Sequence, residues 1–395
     1  MNHNKPLKIK QKGLALPLVM CVVLILSILG VGLLTLGYQT RLRAIRTASE
    51  IFARSAADAG VTKALYDMNT KLQTKPWNDS TLPLASDVAL PGCDAIYSYT
   101  ITKSGSDYVV TSTGNYGQTQ KQVTGTLSLK SPFDCPIFGD QSATLYNSST
   151  VDQYNTDSST PALWAGTNSI SSKAFTLKNN AQMNGNVIVG VDGNPSAVID
   201  NKGTISGTQY AMTELYKLLS ISVPASLAAL PSQGTLTGGT LNSSAKCNLI
   251  NLGNSDTLTI DGQVSLYVIG NISLGNSAQI QVNPNASLIV YLGGNLSSNN
   301  GSGINNQTQT PKKMLIYGLD TCTSMNFKNN SAMYGAIYAP RAAVTYYNGV
   351  PLYGSIIAKS FETKNSAAIH YDASLRNANA NDEAVTFKIK TWSDD

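Results

Sequence analysis

The sequence predicts a mainly β protein led by one long helix. The expected order is an N-terminal transmembrane and stalk helix, a small antiparallel β unit, and a C-terminal right-handed parallel β-helix. Three observations carry this. Gly13–Thr40 is a run of 28 residues with no Asp, Glu, Lys or Arg. Residues 96–130 alternate polar and apolar side chains. Beyond residue 140 an Asn-centred pattern recurs with short apolar strands between its copies.

The apolar run is centred on LPLVMCVVLILSILGVGLLTLG. A helix rises about 1.5 Å per residue, so about 20 residues cross the hydrocarbon core. Lys5, Lys8, Lys10 and Lys12 precede it, a positive flank that places the N-terminus in the cytoplasm. The apolar region of a cleaved signal peptide is shorter, so the length favours a retained helix. Arg41, Arg43 and Arg46 on the far side weaken the charge asymmetry. The helical pattern then continues: Ile45, Phe52 and Ala59 recur at sevens, and Val61, Leu65, Met68 and Leu72 at fours and threes. This is one apolar stripe, which either packs on the chain's own domain or meets neighbouring helices. Lys75-Pro76-Trp77 ends it.

In IYSYTITKSGSDYVVTSTGNYGQTQKQVTGTLSLK, Tyr97, Tyr99 and Ile101 share a face, with Ser-Gly-Ser and Gly-Asn turns following. This predicts three or four antiparallel strands over about 95–130. Cys93 and Cys135 flank the unit and read either as a disulfide or as two unpaired core residues.

The body from about 140 is rich in Asn, Ser, Thr and Gly. Its copies are FTLKNNAQMNGNVIV (175–189), ISLGNSAQIQV (272–282), MNFKNNSAMYGAIYAP (325–340), VTYYNGVPLYGSIIA (344–358) and FETKNSAAIHY (361–371). Repeats of this length suggest stacked coils, with alternate strand residues pointing inward and Asn or Gly at the corners. A β-sandwich is the competing architecture. The segment 208–232 has helix-like spacing followed by Pro224 and Pro231, and is expected to be a helical insert that caps or covers one end. Cys247 and Cys322 could pair across the domain, which sequence does not decide. The expected boundaries are a leader at 1–13, the membrane and stalk helix at 14–75, a linker and β unit at 76–135, the body at 136–375 and a tail at 376–395, read as one short strand (AVTFKIKTW) and a solvated terminus.

Charge and composition exclude several functions. Residues 1–75 hold 11 Lys+Arg against 3 Asp+Glu, and the rest hold 17 against 20, so the net +5 belongs to the membrane flank and stalk. That argues against a nucleic-acid partner. The chain has 2 His, His3 and His370, which disfavours His-based metal or catalytic centres. Asp256 and Asp261, five apart, and Asp192 and Asp200, around Gly193-Asn194-Pro195, read as turn residues rather than paired acids. His370 reads as a stacked strand residue, with Asp372 at i+2 as a candidate partner. Tyr side chains with Trp77, Trp164 and Trp392 are either ladder residues or a carbohydrate-stacking surface. No enzyme activity and no cofactor are expected.

The leader, Lys12-Gly13, the long apolar helix and the amphipathic continuation together resemble a type IV pilin N-terminus over about residues 8–75. QKGLALPLVMCVVLILSILGVGLL is similar to PilX-type minor pilins and tip pseudopilins of type II secretion. The resemblance implies that a prepilin peptidase cuts after Gly13 and that Leu14 becomes the methylated first residue. Typical pilins carry Glu at the fifth mature position; here it is Leu18, which points away from a major filament subunit. About 250–372 also resembles the β-solenoid region of some PilX-like surface proteins. The implied partners are the peptidase, other pilins or pseudopilins and the inner membrane, with a surface polysaccharide as a candidate ligand. The runner-up functions are a membrane-tethered polysaccharide-active enzyme and an anchored envelope scaffold.

Overall fold

The computed structural model describes residues 15–158, 160–328, 332–347 and 349–394. The chain divides into two compact units. The first holds the residues up to Thr74, Asn78–Ser128 and the residues from Lys388; the second holds Lys75–Trp77 and Leu129–Phe387.

The first unit is built on α1 (Ala15–Lys71), 57 residues without a break. Pro17 falls in its first turn, where a missing N–H costs nothing. Its apolar first half is exposed and long enough to cross a membrane. Its second half buries Ala53, Ala56, Ala57, Gly60, Val61, Ala64 and Met68. Val61, Met68 and Leu72 of the expected stripe are buried, whereas Ile45 and Phe52 are exposed. The reason is close approach. A Cβ on Gly114 would lie 2.0 Å from the Ala53 carbonyl oxygen, and one on Gly60 would lie 2.1 Å from Ser112 Oγ. Only small residues fit along that seam. Beside it Tyr99 Oη donates to the Asp67 carboxylate.

The sheet under α1 is an antiparallel meander of β1 (Ala85–Ala89), β2 (Ile96–Ser104), β3 (Asp107–Tyr116) and β4 (Thr119–Lys130). A fifth strand, Thr386–Asp394, lies beside β4. The second unit is therefore inserted between two neighbouring strands of the first unit's sheet.

Every strand pairing described in the second unit is parallel, which excludes the antiparallel sandwich among the described residues. One inward column shows the order. Leu236, Ile250, Ile272, Leu296, Met325, Val344, Phe361, Ala143, Phe175 and Ile199 are each the Cα partner of the next. The chain thus begins mid-stack near Ala143 and steps to one end at Ile199. It resumes at the opposite end at Leu236 and steps back until Phe361 lies against Ala143. A separate four-stranded parallel sheet holds Gly239–Leu241, Thr257–Ile260, Gln279–Val282 and Gly303–Asn306. Alternate side chains of each strand enter one continuous apolar core.

The segment 208–232 is not the expected helical insert. Gln209–Ala211 is a strand, and only Ala225–Ala228 forms a helical turn. Instead of capping an end, it runs over the outer side of the strands between the two ends. Tyr216 sits on Phe138, with ring centroids 4.5 Å apart, and exchanges backbone bonds with the Asn168 amide. Tyr338 Oη donates to Leu219 O at 2.9 Å, and Lys246 Nζ to Ala228 O at 2.7 Å. Pro224 and Pro231 suit an extended strap better than a helix. The tail at 376–395 holds the expected strand, at Thr386–Asp394, and residues before it are packed rather than solvated. Ala380, Val385 and Phe387 are buried, Tyr291 Oη donates to Glu383, and Lys75 Nζ donates to Asp382 O at 2.7 Å and Glu383 Oε2 at 2.8 Å.

Candidate functional site

Of the residues expected to govern processing and assembly, Gly13 and Leu14 lie outside the described residues. Leu18 is on α1 in its first two turns, 67% exposed among apolar neighbours. Cys21 is also exposed on that helix.

The expected disulfides are not formed: Cys93, Cys135, Cys247 and Cys322 are all free thiols. Cys247 pairs in register with Val268, Val268 with Leu292, and Leu292 with Gly318. Three strand steps at about 4.8 Å each put the rung before Cys322 about 14 Å away, beyond disulfide reach. Burial pushes the Cys247 and Cys322 thiols up to about 11. Cys135 is fully buried, its thiol is pushed well up by burial, and its Sγ faces Ile137 O at 3.7 Å. Cys93 belongs to the first unit and closes a local turn through Leu90 O.

The candidate acids do not converge. Asp256 Oδ2 accepts from Gly253 N, and Asp261 Oδ1 from Asn283 Nδ2. These bonds fix corners of the stack. Among the described residues no three His, Cys, Asp or Glu side chains group as a metal site would require.

The structure does gather one cluster that spacing did not foretell. Tyr334, Tyr353, His370 and Asp152 are successive Cα partners on four parallel strands. Tyr334 and Tyr353 stack at 4.4 Å and 8°, and Tyr353 and His370 at 4.7 Å and 29°. His370 Nδ1 bonds Asp152 Oδ1 at 2.6 Å, not Asp372 as expected. Asp372 is buried instead. It caps the turn at Ser374 and accepts from Asn155 Nδ2 and Tyr154 Oη. Both oxygens of Asp372 thus have partners within the fold. The half-buried rings stack on one another as a ladder across neighbouring strands. Trp77 and Trp164 are likewise packed, against Phe387 and Tyr216, while Trp392 is 41% exposed. The signal available in sequence was the repeated aromatic position of MYGAIYA, LYGSIIA and AIHY.

Residues 232–378, all in the second unit, match the family model described as a domain of unknown function (DUF7305). No curated protein matches the chain. Among solved structures, the competence-associated pilin ComZ from Thermus thermophilus is similar over 88% of this chain and 97% of its own. Its identity is 13% and its TM-score 0.27. An ice binding protein from an Antarctic Flavobacteriaceae bacterium is similar over 60% of this chain and 96% of its own, at 9% identity and a TM-score of 0.22.

Proposed function

We propose that the chain is a minor, pilin-like envelope protein of the PilX type. In this reading a prepilin peptidase cuts after Gly13, and the apolar half of α1 sits in the bacterial inner membrane or in a pilus or pseudopilus. The rest of the chain is displayed outside. The body is a right-handed parallel β-helix without enzymatic activity, serving adhesion, assembly or surface binding.

One observation carries this. A single helix is exposed and apolar for its first half and buried against an antiparallel meander for its second. Such a helix suits a subunit that holds its head by one end and lends the other to a membrane or to neighbouring helices. Leu18 in place of an acid suits a minor position. The in-register column from Leu236 to Ile199 supports the β-helix reading of the body.

The test is the intact mass of the mature protein purified from membranes. A methylated N-terminus at Leu14 is expected. A chain that keeps Met1 through Gly13 in the presence of an active peptidase overturns the reading.

A further inference from the structure

The inward column has a charged companion. Three residues after Met325, Val344, Phe361, Ala143, Phe175 and Ile199 come Lys328, Tyr347, Lys364, Tyr146, Lys178 and Lys202. These six lie on six successive strands at one corner of the stack. Backbone bonds keep the register: Tyr347 N to Phe327 O at 2.8 Å, Lys364 N to Tyr346 O at 2.7 Å, Lys178 N to Leu145 O at 2.8 Å and Lys202 N to Leu177 O at 2.9 Å. Lys328 Nζ lies 5.4 Å from the Tyr347 ring centroid, and Lys364 Nζ 4.6 Å from that of Tyr146. Lys328 and Lys364 are thus held over aromatic rings. The acids on this side are Glu362, 2.8 Å from Lys364, and Asp200 beside the end of the stripe. The row alongside runs Ser297, Asn326, Thr345, Glu362, Thr144, Thr176 and Asp200, so short hydroxyl and amide side chains surround these two acids.

Strand spacing sets the charge spacing. At about 4.8 Å per step, Lys328, Lys364 and Lys178 stand about 10 Å apart, and the stripe is about 24 Å long. Duplex DNA would bring about 14 charges to that length. Four lysines tempered by two carboxylates, on a body with 17 basic against 20 acidic residues after position 75, do not match such density. A polymer with widely spaced anions and many hydroxyls does.

We propose that this stripe binds an acidic polysaccharide of low charge density along the stack, its carboxylates on Lys328, Lys364 and Lys178 and its hydroxyls on the neighbouring Ser, Asn and Thr. The inference rests on the reading that the body is displayed outside the membrane.

The test uses the full chain in lipid nanodiscs, titrated with hyaluronan, polygalacturonate, neutral dextran and a duplex DNA oligonucleotide. Binding to hyaluronan, which carries one carboxylate per disaccharide, is expected to exceed that to the denser polygalacturonate, both weakening as salt rises. Lys178→Gln and Lys364→Gln should each weaken it about threefold. Lys178→Gln leaves the Lys364–Glu362–Tyr146 contacts intact, so a loss there is not a folding effect. Glu362→Gln should tighten binding, and Lys313→Gln, off the stripe, should leave it unchanged. Equal binding of dextran, tighter binding of DNA, no polyuronate binding, or indifference to Lys178→Gln overturns the proposal. The mature N-terminal mass is read independently, so either idea can fail alone.

Discussion

Ser355 Oγ donates to Cys135 O at 2.6 Å across 220 residues of chain, with both residues fully buried. The bond sits where the first strands of the body meet its last long strand, and Ile356 N adds a second bond to Pro136 O at 2.8 Å. This seam closes the stack in its middle. Elsewhere each rung rests on a rung close in sequence; here the two arms of the chain meet.

Ser355→Ala removes that donor and strands a buried carbonyl. The expected cost is about 1–3 kcal/mol. It should appear as a lower unfolding midpoint for the second unit in urea, with α1 and its sheet unaffected. An unchanged midpoint would show that the seam does not limit stability.

Gly114→Ala tests the contact under α1. The new methyl would meet the Ala53 carbonyl and the Ala57 nitrogen, 2.4 Å away, so the helix must move off the sheet. Overpacking of this kind costs about 1–3 kcal/mol. Hydrogen exchange should quicken in β3 and in residues 53–64 of α1 while the second unit stays protected.

The thiols give a chemical readout. With Cys135, Cys247 and Cys322 buried and pushed up by burial, a disulfide-exchange reagent at pH 8 should leave all three unmodified in the native chain. Partly exposed Cys93 should react, and denaturant should release the rest. Retention of a Cys247–Cys322 crosslink on non-reducing mass analysis would contradict the register of the stack.

Alkaline pH should unfold the protein. Burial pushes the phenols of Tyr317, Tyr338, Tyr346 and Tyr371 upward, with hydrogen bonds and neighbouring charges modulating individual cases. Their folded-state values exceed the unfolded value of about 10, so the neutral form is the one the fold prefers. That stabilisation is complete below about pH 10 and is lost as pH rises beyond it. A denaturation curve followed from pH 7 to 12 should stay flat to about pH 10 and then fall. Tyr346→Phe should soften the fall, since its hydroxyl has no hydrogen-bond partner to lose among the described residues.

Much of this was legible because it is local. The charge-free run, the alternation of residues 96–130 and the Asn-cornered copies are each written within short windows, and α1, β2–β4 and the parallel strands follow from them. What escaped depends on distant partners. Nothing near Ala143 announces that Phe361 will lie beside it. The apolar residues of 208–232 imitate a helix because a strap crossing many strands also meets apolar surface at intervals, as Tyr216, Ile221 and Leu227 do. The seam under α1 is only partly legible, because Gly60 and Gly114 set its distance and small residues carry no hydrophobic period. His370 looked toward Asp372 along its own strand, but its nearest carboxylate stands across the ladder.

The inserted body has a consequence for biosynthesis. Strand Thr386–Asp394, which completes the sheet beside β4, follows some 250 residues of body in the order of synthesis. A chain halted anywhere within the body carries α1 and β1–β4 with the β4 edge open, and an open edge invites wrong pairing or proteolysis. Completion of the small sheet therefore reports that the whole body has been synthesised, and truncated products should be the more open to proteolysis.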